Sequence, residues 1–357
     1  MKKTNISALL LAALLLIQLL CAPVSAVTAE PAADAQADAQ TASDNSAEDA
    51  AAEADSVPED QLLSSREQFS VAAKAALLID LNTNRVVYEQ DADERVYPAS
   101  LTKIMTCLIA LENGNLSDVV TVSESALADL DEDSSVAGLV VGEQMTLENL
   151  LYCMMVVSGN DACNVIAEHV AGSVTDFVRM MNQRAYELGC TNTHFNNPHG
   201  LHDESHYTTA RDLAIITQAA LKSENFRQIV DTYEYKLPDD NMRQNIPKLK
   251  TTNMLIYQSM SNSLYYPRAH GIKTGYTSQA GRCVISEATG DGLDLLGIVC
   301  GAATTVLDSG DLLMENFTEC ARLFDYGFDN YSYLTLMSPL YPVDQVKINN
   351  SAGAEAV

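Results

Sequence analysis

Ser100 and Lys103 stand three residues apart in YPASLTKIMTCLIALE, residues 97–112. On a helix that spacing puts a hydroxyl and an amine on one face, within reach of each other. Ile104, Met105, Leu108 and Ile109 supply an apolar stripe beside them, so the pair belongs at the edge of a core. Burial disfavours the charged amine and lowers its pKa, and a lysine made partly neutral can take the proton of a serine attacking a carbonyl. A serine cap followed by a snorkelling lysine satisfies the same two residues, so this short pattern alone decides nothing. Two further groups extend it. VVSGNDA places Ser158, Gly159 and Asn160 at the end of an apolar helix, where Gly159 can turn the chain and direct both polar side chains into a cleft. GIKTGYTSQAG places Lys273, Thr274, Gly275 and Tyr276 on a strand, where the missing side chain lets an extended substrate lie along the edge. Helix caps and an ordinary bulge are the plain alternatives for these two. S-x-x-K, S-x-N and K-T-G in that order within one domain form a strong joint signal for an active-site serine.

These residues need a scaffold. AALLIDLNTNRVVYEQ reads as two strands around a turn at Asn82-Thr83-Asn84, and the Ser100 helix stops near Asn113-Gly114. Thr146 is placed to cap a helix with Glu148 in its first turn. A helix from about Thr175 to Leu188 should end at Gly189, and Thr209 with Asp212 has capping-box spacing for another. Strand patterns return in AHGIKTGYTSQAGRCVISEATG and LDLLGIVCGA, followed by a helix from about Asp311 to Tyr326. Strands at both ends enclosing a run of helices indicate an α/β (α+β) domain, one antiparallel sheet flanked by helices with a helical insertion.

The 357 residues open with a basic Lys2-Lys3, an apolar run from Ile6 to Leu20 and a small-residue site at Val24-Ser25-Ala26, so residues 1–26 read as a secretory signal. Leu20 stands where a lipidation site before Cys21 would need a small residue. Loss of Lys2 and Lys3 moves the formal charge from −27 to −29, and residues 27–65 carry ten acids and no base, as expected of a disordered linker. The domain expected over 66–332 is itself acidic, which argues against nucleic acid and anionic lipid surfaces as partners. The odd set of cysteines at 107, 153, 163, 190, 283, 300 and 320 lacks a C-x-x-C and lies in apolar surroundings, so buried free thiols are expected, with room for one or two disulfides. His194, His199, His202 and His206 crowd one loop, but the Pro198–Gly200 turn breaks any helical register, and no metal is expected. Arg211 is expected to pair with a nearby acid, and His270 has no assigned role.

The three motifs, with GLVVGEQMTLENLLYCMMVVSGNDA, HFNNPHGLHDESHYTTARDLA and HGIKTGYTSQAGRCVISEA around them, resemble the serine-type D-alanyl-D-alanine carboxypeptidases. These are the low-molecular-mass penicillin-binding proteins of peptidase family S11, and the resemblance runs from about residue 70 to 330. It implies a β-lactamase/transpeptidase-like fold, with a five-stranded sheet and a helical subdomain. It also implies Ser100 as the nucleophile, Lys103 as its base and Ser158 as a proton relay to the leaving amine. Asn160 would bind the substrate amide and steady Lys103, Lys273 would supply positive potential, and Thr274 would bind the substrate carboxylate. The backbone N–H groups of Ser100 and Tyr276 would form the oxyanion hole beside Gly275. Implied partners are peptidoglycan stem peptides, with β-lactams as inhibitors and no cofactor, outside the cytoplasm. A D,D-endopeptidase and a β-lactam-sensing wall protein are the alternatives. A β-lactamase is disfavoured, because no E-x-x-L-N follows the S-x-N motif. Two departures stand out. Ala303, in CGAATTV, occupies the place of an arginine that helps some members bind the carboxylate. The tail over 333–357, ending DQVKINNSAGAEAV, is neither basic nor amphipathic, so no C-terminal membrane anchor is expected.

Overall fold

The computed structural model describes residues 69–128, 130, 134–306 and 312–333. The expected signal over 1–26, the linker over 27–65 and the tail from residue 334 lie outside the described residues.

Two blocks of strand, far apart in sequence, make one sheet. β1 (Ala75–Asp80) and β2 (Arg85–Gln90) form the N-terminal hairpin. β3 (Ala269–Thr277), β4 (Gly281–Gly290) and β5 (Leu293–Ala302) follow one another as an antiparallel meander. The order is β2-β1-β5-β4-β3, closed in the middle by β1 against β5 from Ala75 opposite Cys300 to Asp80 opposite Leu295. β1 is buried along its whole length. Ala76 and Leu78 enter one core, while Ala75, Leu77 and Ile79 enter the other, which is why its sequence is a continuous apolar run without alternation.

On the smaller-core face lies the last described helix, which packs Phe317, Cys320, Leu323 and Phe324 on the sheet. Gly297 on β5 lets it sit close, because a Cβ there would lie 2.9 Å from the Phe324 ring. The opposite face carries the helical layer: α1 (Lys103–Asn113), α2 (Leu147–Val156), α3 (Asn160–Ala171), α4 (Val174–Glu187), α5 (Ala210–Ala220) and α6 (Glu224–Val230). Four of these start on a hydroxyl that accepts the backbone N–H three residues on: Thr146, Ser173, Thr209 and Ser223. The last helix, α7 (Glu315–Asn330), begins four residues later than its sequence pattern indicates, because Leu312–Met314 pairs as a strand with Thr304–Val306. Cys107, Cys153, Cys163, Cys190, Cys283, Cys300 and Cys320 are all buried free thiols, so the room left for disulfides is unused among them.

Among the described residues β3 is an edge strand, paired only on its β4 side. Its open side and the turn before α1 define where a ligand can lie.

Candidate active site

Ser100 sits on a single 3-10 turn, Ala99–Thr102, which hands the chain to α1 at Lys103. Ala99 is held at φ 46°, a left-handed conformation that an L-residue adopts only under constraint. The constraint is visible. Gly200, at φ 92°, lies so close that a Cβ on it would fall 1.8 Å from the Ala99 carbonyl oxygen. Gly275 comes close from the sheet side, less tightly, where a Cβ would stand 3.0 Å from Pro98 O and 3.1 Å from the Ser100 nitrogen. The glycine of K-T-G therefore also makes room for the serine turn, a need separate from the one expected for an extended substrate. It also brings the β3 backbone beside the Ser100 N–H.

Lys103 is fully buried. Its Nζ lies 2.8 Å from Ser100 Oγ, 2.7 Å from Asn160 Oδ1 and 2.8 Å from His199 O. Two of the three neighbours are carbonyl oxygens, which can only accept. A neutral amine has two N–H bonds and one lone pair, so those oxygens take both hydrogens and the lone pair is left facing the serine hydroxyl. Burial also depresses the Lys103 pKa, with the charges of Cys163 and Asp161 acting weakly the other way. Geometry and electrostatics agree on a lysine that can receive a proton from Ser100.

The S-x-N motif is built as a sharp turn between α2 and α3. Its unusual backbone belongs to Ser158 at φ 64°, while Gly159 has an ordinary φ of −61°. Gly159 is needed for space instead, since a Cβ would meet Asp161 Oδ1 at 2.7 Å and Ala137 N at 3.0 Å. Neither Ser158 nor Asn160 caps α3, whose N-cap Gly159 makes no side-chain bond. Both side chains border the cleft instead. Asp161 fixes the facing loop by accepting from Ala137 N at 2.9 Å and Leu139 N at 3.0 Å.

Thr274 also borders the cleft, its hydroxyl 2.6 Å from that of Thr252. Lys273 does not reach the cleft surface. It is buried, donates to Thr274 O at 3.1 Å, and is held well below its ordinary pKa by burial and by the charge of Lys103. Tyr276 is largely exposed and forms part of the rim.

The cleft has a volume of about 460 Å³. Besides the motif residues it is lined by Ser134, Ser135, Thr252 and Arg282, none of which has a signal of its own in the sequence. A larger groove of about 750 Å³ between α1 and α4 holds Glu112, Arg179 and Arg184, charges that already pair with Glu112 or with acids of α4. It contains no nucleophile.

The clustered histidines have structural work. His206 Nδ1 accepts from Asn196 N at 3.1 Å, which leaves Nε2 to donate to Thr102 Oγ1 at 2.8 Å behind the nucleophile turn. Burial pushes His206 down to about 4 and His199 down to about 3, so both are neutral near pH 7. His202 packs edge-on against Tyr97. Among the described residues no group of three His, Cys, Asp or Glu is arranged to hold a metal. Arg211 pairs with Asp93 at 2.8 Å and Glu89 at 2.7 Å, and His270 lies 3.0 Å from Thr289 Oγ1.

The constellation has relatives. The family model described as D-alanyl-D-alanine carboxypeptidase, Peptidase S11, matches residues 62–304. D-alanyl-D-alanine carboxypeptidase DacF of Bacillus subtilis is 37% identical over 284 residues, covering 77% of this chain and 67% of its own length. DacC of Escherichia coli K12 is 33% identical over 76% of this chain and 64% of its own. The chain thus spans about two thirds of the length of these curated relatives. The crystal structure of the Streptomyces K15 DD-transpeptidase superposes with a TM-score of 0.64 at 30% identity, over 73% of this chain and 98% of that one. Penicillin-binding protein 5 of Haemophilus influenzae gives 0.63 at 32% identity, over 73% and 72%. A match through the turn, the cleft and the sheet that backs them leaves one assignment: the chain belongs to the D-alanyl-D-alanine carboxypeptidase family, peptidase family S11.

Proposed function

We propose that this protein is a serine D,D-carboxypeptidase that removes the terminal D-alanine from peptidoglycan pentapeptide stems through an acyl-enzyme on Ser100. The observation that carries the reading is the Lys103 amine held between two carbonyl oxygens with its third contact on Ser100 Oγ.

In the forward step Ser100 Oγ bonds to the penultimate D-alanine carbonyl carbon while its proton passes to Lys103 Nζ. Backbone N–H groups of Ser100 and Tyr276 receive the developing oxyanion, each worth roughly 3 kcal/mol where such donors have been removed. The C–N bond then breaks. The Lys103 proton is handed to the leaving amine through Ser158, whose hydroxyl has no partner among the described residues and borders the cleft. Water, deprotonated by the regenerated amine, attacks the ester and releases the shortened stem. Asn160 steadies Lys103, Thr274 binds the terminal carboxylate, and Lys273 beneath the floor disfavours a second buried cation at Lys103. A β-lactam enters by the same attack and stays as a penicilloyl ester on Ser100. Such a substrate places the protein outside the cytoplasmic membrane, in keeping with the leader-like residues 1–26.

The test is D-alanine release from a pentapeptide ending in D-Ala-D-Ala, by the domain and its Ser100→Ala variant. Release that disappears with Ser100 is the expected result. A penicilloyl adduct on Ser100 without D-alanine release would overturn the carboxypeptidase reading in favour of cross-link cleavage or β-lactam sensing.

A further inference from the structure

A stem peptide ends in a carboxylate, and the cleft must meet that charge. Of the described residues that line it, Arg282 alone carries a fixed charge, and none is an acid. Lys103 and Lys273 are buried with their amines turned to protein oxygens. Ala303 brings no charge.

Arg282 is held as a binding group would be. It lies opposite Tyr276 in the β3–β4 ladder, with its guanidinium carbon 4.8 Å from the centre of the Tyr276 ring. Its Nε donates to Thr304 Oγ1, beyond the end of β5. These contacts use the flat face and the inner nitrogen. The outer edge, with both Nη atoms, meets no carboxylate among the described residues. Strand alternation puts Thr274 and Tyr276 on one face of β3, and cross-strand partners share a face, so Arg282 stands on the same side as the Thr274 hydroxyl. Two residues along a strand span about 7 Å, which a long arginine side chain bridges. The Thr252 and Thr274 hydroxyls and the Arg282 side chain therefore border the same cleft.

We propose that Arg282 receives the terminal carboxylate of the substrate, together with the Thr274 and Thr252 hydroxyls. The proposal rests on the carboxypeptidase reading and adds the cation that its substrate requires. A planar guanidinium presents two parallel N–H donors to a carboxylate, so the contact selects a free C-terminus and fixes the register of the scissile bond relative to Ser100.

The experiment compares Arg282→Gln and Arg282→Lys with the unaltered protein on two pentapeptides, one ending in free D-Ala-D-Ala and one ending in the D-alanine amide. Expected is a loss in kcat/KM of about 10- to 100-fold for Arg282→Gln on the free acid, the scale of a charged hydrogen bond. The amide should change less than about threefold, and Arg282→Lys should recover part of the loss. Equal losses on both peptides would make Arg282 a mere prop for Tyr276 and overturn the proposal, as would a free-acid preference that survives in Arg282→Gln. A second readout separates this from the fate of the carboxypeptidase reading: acylation of Ser100 by benzylpenicillin and by its methyl ester, which needs no D-alanine release. If no D-alanine is released but Arg282→Gln still erases the preference for the penicillin carboxylate, the substrate assignment fails and Arg282 stands.

Discussion

Among the described residues, two pairs of like charges taken out of water are resolved in opposite ways. Glu287 on β4 and Asp294 on β5 face each other near the sheet end remote from Ser100. Arg227 of α6 answers them, with its Nη1 3.0 Å from both Glu287 carboxylate oxygens. Burial and the Glu287 charge push Asp294 up to about 7, and Arg227 is the cation that answers the pair. Lys103 and Lys273 are also buried and close enough for one charge to act on the other, yet no carboxylate hydrogen-bonds to either amine among the described residues. A buried pair with a counter-ion is settled by pairing, whereas one without is settled by losing a proton. The first arrangement is structural, and the second makes a base.

Giving the second pair a cation that cannot deprotonate should break the contrast most severely. Lys103→Arg is expected to slow penicillin acylation of Ser100 by about 10³-fold or more, as a guanidinium cannot accept the serine proton. In the unaltered protein the same rate should climb with pH as Lys103 loses its proton and level off below 10.5, its unperturbed value. Gly200→Ala shifts the nucleophile without touching any charge, because its Cβ would collide with Ala99 O. A displacement of about 1 Å is expected to cost roughly 10²-fold in acylation rate, with thermal unfolding showing whether the fold survives. Arg227→Ala strips the structural pair of its counter-ion. Since Arg227 is about 40% exposed, the loss in urea stability should be about 2 kcal/mol, with acylation within about threefold of normal. Acid should act through His206, whose folded pKa of about 4 lies below its unfolded 6.5. The unfolded chain binds the extra proton, so this stabilisation is complete above pH 6.5 and falls away as pH drops towards 4, by about 2 kcal/mol at pH 5. His206→Gln should make that slope shallower in urea midpoints, and the slope that remains belongs to His199, which burial holds down to about 3. The carboxyl pair has the opposite sign: Asp294 is raised above 3.8, so its strain grows as pH rises through 7. Asp294→Asn should therefore gain about 1 kcal/mol at pH 8 and much less at pH 5.

What was legible in the sequence is what short spacing encodes. Ser100 and Lys103 are one turn apart, the capping hydroxyls sit three residues before the amides they accept, and the apolar runs of β1, β4 and β5 announce buried strands. Where a residue's surroundings come from a distant segment, the reading failed or was silent. Lys273 alternates with Thr274 along β3, and its burial depends on what covers that face. Thr252 and Arg282 reach the cleft through tertiary contacts that no local pattern specifies. Gly159 and Gly275 were recognised as special, but the atoms that require them, at Asp161 and at the Ser100 turn, appear only in three dimensions.

The sealed thiols make the molecule its own recorder of opening. Cys283 and Cys300 lie on adjacent strands of the sheet, Cys320 on α7, and Cys107, Cys153 and Cys163 in the helical layer. A water-soluble alkylating reagent reaches none of them in the closed state, so each modification dates an excursion of its own neighbourhood. Counted residue by residue, labelling rates would tell whether the helical layer loosens apart from the sheet or whether both yield in a single event.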